Sequence, residues 1–99
     1  MTEIRVSEQV EHYVKALAPE PRQVLRSGIK GLAEGKGDLK SLEADLIGWQ
    51  RLRVMSYRVL FKEYWKSGNR VIDCVYINRR SVVYELFREL LKNQLFGNQ

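Results

Sequence analysis

The sequence predicts an α+β protein in the order β-α-α-β-β-β-α, a mostly antiparallel sheet with an N-terminal helical hairpin packed on it and a C-terminal helix. Three observations carry this prediction. Apolar residues recur at helical spacing from Val10 to Leu32, the period shifts towards two after Ser41, and a second helical stripe begins at Val83. With 99 residues the chain is expected to form one domain, residues 1–99.

The elements follow in order. Ile4 and Val6 alternate in residues 2–6, a short first strand. Ser7 is a suitable N-cap for a helix whose stripe is Val10, Tyr13, Val14 and Leu17. Pro19 and Pro21 end that helix and open a second, because proline suits a first helical turn. Leu25, Ile29 and Leu32 continue the second stripe, and Gly35 and Gly37 stop it. A short connection makes the two helices an antiparallel hairpin. Strands are expected near 43–47, 49–55, 57–65 and 70–77, with a turn at Ser67-Gly68-Asn69. Ser81 is placed to cap a last helix with Val83, Leu86, Phe87, Leu90 and Leu91 on its apolar face. Three or four antiparallel strands are therefore expected, with both N-terminal helices on one face.

Composition narrows the function classes. The lone Cys74 cannot form an internal disulfide, and its apolar surroundings read as a small buried hydrophobe. The N-terminus lacks the basic and apolar regions of a signal peptide, and no apolar run is long enough to span a bilayer. A cytoplasmic protein without a membrane partner is expected. One histidine (His12, on the polar side of its helix) and one cysteine leave no zinc cluster, no metal site and no Cys-His or Ser-His pair. Gly35-Lys36-Gly37 lacks phosphate-loop spacing, so no cofactor is expected.

The net charge of +5 is unevenly spread. Residues 49–84 carry Arg51, Arg53, Arg58, Lys62, Lys66, Arg70, Arg79 and Arg80 against Glu63 and Asp73, a local +6. Such a segment suits a polyanion, either nucleic acid or an acidic protein chain. Strand alternation puts Trp49, Arg51, Arg53 and Met55 on one face and Gln50, Leu52 and Val54 on the other. Two arginines beside an aromatic can bind phosphates and stack a base, or can form the solvated side of a one-sided sheet.

Residues 46–61, Leu-Ile-Gly-Trp-Gln-Arg-Leu-Arg-Val-Met-Ser-Tyr-Arg-Val-Leu-Phe, resemble the signature of the RelE/ParE toxin superfamily of bacterial type II toxin-antitoxin systems. Residues 75–84, Val-Tyr-Ile-Asn-Arg-Arg-Ser-Val-Val-Tyr, resemble its closing pattern, a strand followed by basic residues and a Val-Tyr pair that opens the last helix. The resemblance covers essentially the whole chain and favours the RelE-like branch. It implies a toxin that cuts mRNA in the ribosomal A site and inhibits translation. It further implies an antitoxin protein as partner, with the ribosome and mRNA as targets. By position the implied catalytic residues are Arg51, Arg53, Arg58, Arg80 (or Arg79) and Tyr84, with Trp49 and Arg79 binding RNA. The alternatives are a ParE-like inhibitor of DNA gyrase that acts by protein binding, and a non-catalytic basic nucleic-acid-binding domain.

These residues suit part of the chemistry of RNA cleavage. In metal-independent phosphodiester cleavage the 2′ oxygen attacks phosphorus, the bond to the 5′ oxygen breaks, and a proton moves from one oxygen to the other. Guanidinium groups stabilise the extra phosphorane charge but are poor bases, with a pKa above about 12. Tyr84 can stack on a base or pass a proton, or simply pack at the helix start. No residue is placed by a motif as the general base. Leu95 and Phe96, at the end of the last helix, suggest a place for the antitoxin to dock, or a fold-back onto the protein.

Overall fold

The computed structural model describes residues 1–96, with the side chains of residues 1–94. β1 (Thr2–Val6) leads to α1 (Glu8–Lys15) and α2 (Pro19–Gly31). β2 (Asp38–Ser41), β3 (Gln50–Val54), β4 (Tyr57–Lys66), β5 (Asn69–Arg79) and α3 (Val82–Phe96) follow. One sheet holds all five strands in the order β1-β5-β4-β3-β2. β1 runs parallel to β5, and every other pair is antiparallel. The α+β class and the mostly antiparallel sheet agree with the expectation from sequence.

Local chemistry explains the element boundaries. Ser7 caps α1, its side chain accepting the Val10 N–H at 3.2 Å. Pro19 and Pro21 occupy the first turn of α2, where a missing N–H costs nothing. Ser67 and Gly68 both take positive φ (52° and 79°), the two-residue geometry that matches strand twist in a tight hairpin. Gly37 has φ 112°, and a Cβ there would lie 2.7 Å from a methyl of Leu52, so only glycine fits where the chain enters β2.

Two expected features are corrected. Residues 43–47 are not a strand; Ala44–Leu46 form a single 3-10 turn, and the first strand after the hairpin is β2 at 38–41. Leu42 and Leu46 both pack against the core beneath α3, a spacing of four that a turn and a strand satisfy alike, so the alternation did not distinguish them. The Leu42 N–H still bonds the Trp49 carbonyl at 2.9 Å, closing the loop onto β3. Four strands follow the hairpin, matching the four expected segments in number, with the first of them displaced to 38–41. The apolar face expected for α3 is also narrower than read. Val83 and Phe87 are buried, whereas Leu86 and Leu90 are 41% and 36% exposed. A lone helix lying on a sheet buries one stripe, and Leu86 and Leu90 fall on its flank.

The sheet separates two cores. Beneath α1 and α2, Val10, Val14, Leu25, Ile29 and Leu32 bury against Leu52, Val59, Ile72 and Ile77, with Tyr13 and Leu17 partly buried at the margin. On the other face α3 covers Leu46, Leu60 and the partly buried Trp49 and Tyr76 through Val83 and Phe87. A β-bulge serves this second core. Leu60 pairs with Tyr76 but Phe61 with Cys74, so Val75 is the extra residue. Val75 and Tyr76, consecutive in sequence, both pack under α3.

Candidate nucleic-acid interface

The register of the antiparallel strands builds a grid on the face that carries α3. One row is Asp38, Arg53, Arg58 and Asn78, and the next is Lys40, Arg51, Leu60 and Tyr76. Residues in a row share a face because the pairing is in register. Leu60 and Tyr76 lie under α3, while Arg53 is exposed beyond it. Arg51, Arg53 and Arg58 are thus brought together on one surface.

The backbone of Arg80 reaches the end of the sheet next to the β3–β4 turn. Its N–H donates to the Ser56 carbonyl at 2.9 Å, tying the start of α3 to the β3–β4 turn. Arg80 at one end of that tie and Met55, next to its other end, depart from ordinary backbone geometry: Met55 has φ 54° and Arg80 has φ 43°, a left-handed region costly for side chains other than glycine. Strain of this kind concentrates at functional sites, where packing overrides local preference. Arg58 steadies the same turn, donating to the carbonyls of Met55 and Tyr57 at 3.2 and 3.0 Å.

The remaining expected site residues are placed differently. Arg79 lies on the opposite face, its guanidinium 5.4 Å from the centre of the Tyr57 ring. Hydrogen bonding to Tyr57, and then to Tyr13, raises its already high pKa further. Trp49 is packed edge-on against Phe87, with centroids 4.9 Å apart, and Lys62 lies over its ring at 5.0 Å. Tyr84 is half-buried against the α3 core. Arg51 is held by Asp38, whose backbone carbonyl and carboxylate accept from one of its nitrogens at 3.2 and 3.3 Å. The +6 segment is therefore not one patch: Arg70 sits on the hairpin side, bonded to Glu63 and the Ala33 carbonyl.

Charge marks this face better than shape does. A groove of about 630 Å³ lies between α1 and α2 on the other side of the sheet, lined by Val10, Val14, Arg22 and Arg26 among others. On the basic face Lys40 and Arg53 are exposed, which suits an extended polyanion. Lys40, Asp38 and Asn78 belong to it and were not singled out in the sequence. The alternation in Asp38-Leu39-Lys40 after Gly37 is the signal that could have found the first two. Cys74 is fully buried in the first core, and burial pushes its thiol up to about 12, so it has no part in the site.

Comparison of the sequence with protein-family models and with characterised proteins finds no match. Solved structures do match in fold. A YoeB/ParE toxin from Agrobacterium tumefaciens aligns at TM-score 0.64 and 9% identity, over 79% of this chain and 98% of that one. An archaeal RelE-RelB complex from Pyrococcus horikoshii aligns at 0.63 and 20%, over 81% and 96%. The toxin-antitoxin complex RelBE2 from Mycobacterium tuberculosis aligns at 0.61 and 19%, over 79% and 96%. The architecture is the one shared by RelE and ParE toxins.

Proposed function

We propose that this chain, built on the RelE/ParE toxin fold, is the toxin of a type II toxin-antitoxin pair and acts as a ribosome-dependent mRNA endonuclease. The observation that carries this reading is the Arg53–Arg58 pair, which makes no ion pair among the described residues, with the Arg80 backbone tied to the adjoining turn. Rigid guanidinium donors held near one another suit the extra charge of a phosphorane, and exposed basic side chains along a sheet face suit a strand of RNA. Among the groups on this face Tyr84 is the proton carrier, acting from the start of α3. Reliance on the ribosome fits such sparse acid-base equipment, because holding and bending the codon supplies the orientation that otherwise falls to the enzyme. An antitoxin partner follows from the same reading, since two of the similar solved structures are toxin-antitoxin complexes.

A second reading, a ParE-like gyrase inhibitor, is favoured by one feature: Asp38 occupies Arg51, which removes one of the expected catalytic arginines from the open face. One experiment separates them. Purified protein is added to a translation reaction and mRNA 5′ ends are mapped, with gyrase supercoiling assayed in parallel. The endonuclease reading expects new 5′ ends only when ribosomes are present. Arg80→Ala should slow cleavage by about 100–1000-fold, the usual loss on removing a donor aimed at transition-state charge. Unaltered mRNA together with blocked supercoiling would transfer the conclusion to the second reading.

A further inference from the structure

We infer that Lys40, on edge strand β2, is a phosphate-contacting residue of this basic face, standing in for the charge that Asp38 withdraws at Arg51; the inference rests on reading the face as an RNA-binding surface. Leu39 packs into the core beneath the helical hairpin, opposite Leu52. Alternation along β2 then turns Asp38 and Lys40 to the other face, in the rows of Arg53 and Arg51. Lys40 is exposed and makes no ion pair among the described residues. The acid best placed to neutralise it, Asp38, is engaged with Arg51, whose side chain is only 15% exposed. Lys40 and Arg53 are diagonal neighbours across the β2–β3 pair, about 7–8 Å apart in such a register. A long ammonium side chain at that distance reaches the same phosphate as Arg53, or the next one along the strand. Ammonium donors act there as mobile point charges, whereas the arginines are rigid forks.

The test compares wild type, Lys40→Ala, Lys40→Arg and, as a control on the far side of the sheet, Lys30→Ala. Binding of a short fluorescent single-stranded RNA is followed by anisotropy across a salt series, and mRNA cleavage is measured in the translation reaction. Loss of one phosphate contact should lower the salt slope by about 0.7 in Lys40→Ala. Lys40→Arg should restore it and Lys30→Ala should leave it unchanged. An edge-strand lysine also deters strand pairing between molecules. If Lys40→Ala aggregates while its soluble fraction binds RNA with the wild-type slope, the inference is overturned, as it is if wild type binds no RNA. Lys40-dependent binding without ribosome-dependent cleavage would sink the endonuclease reading alone. Cleavage with binding indifferent to Lys40 would sink this inference alone.

Discussion

Arg53 stands directly opposite Arg58 in the β3–β4 register, two guanidinium-bearing residues side by side on an open surface. Like charges so paired destabilise a sheet, and opposite pairs of this kind are worth about 0.2–1 kcal/mol. Stability and binding should therefore move in opposite directions. Arg53→Thr is expected to raise unfolding free energy by up to about 1 kcal/mol in a denaturant titration and to lose mRNA cleavage. Phosphate or sulfate should stabilise wild type more than the variant, because an anion bound only by the native state adds to its stability. A variant that is less stable and equally active contradicts the assignment.

Met55 supplies a second test of strain. At φ 54° it occupies the left-handed region, held there by Arg58 on its carbonyl and by the tie from Arg80 to Ser56. Met55→Gly should stabilise the protein by about 0.5–1 kcal/mol, the strain relief exceeding glycine's entropic cost. Thermal unfolding measures this directly. If the melting temperature falls, the Met55 side chain contributes contacts that outweigh its backbone cost.

Gln9 predicts a structural effect remote from the basic face. Its side-chain amide donates to the Ile77 carbonyl at 2.7 Å and accepts the Ile77 N–H at 2.9 Å, replacing the neighbour that β1 would provide had it not ended at Val6. Gln9→Leu leaves both backbone groups without that partner and should cost about 1–3 kcal/mol. Amide exchange at Ile77 should quicken, with RNA binding unaltered in the folded protein.

Cys74 gives a pH dependence. Its thiol rises from 9.0 to about 12 because burial disfavours the thiolate, with Asp73 adding a smaller push. Above pH 9 the unfolded chain releases a proton that the native thiol keeps, so the unfolded state gains. The contribution is intact below pH 9 and is lost as pH climbs towards 12. Denaturant titrations between these limits should show a steeper fall for wild type than for Cys74→Ala, by at most about 1.4 kcal/mol per pH unit. Equal slopes would mean that the thiol is accessible in the native state.

The amino-acid order alone settled the helices, the long strands and the first core. Val10, Val14, Leu25, Ile29 and Leu32 repeat at helical spacing and are buried where that spacing put them. Arg51, Arg53 and Trp49 could be assigned to one strand face by counting in twos. Leu95 and Phe96, suggested as an antitoxin anchor, have side chains outside the described residues. Other features depend on pairs distant in sequence, which no local period reveals. β2 is four residues with one partly buried apolar member, and it is a strand because β3 offers an edge to pair with. Residues 43–47 alternate like a strand yet turn, and the turn still delivers Leu42 and Leu46 to the core beneath α3. The two neighbouring arginines 79 and 80 part company because one ends β5 and the other enters the turn to α3. Pairing register, unlike periodicity, is set by the partner strand, and it alone decided that Arg53 meets Arg58, while Asp38, in register with Arg53, forms its ion pair diagonally with Arg51.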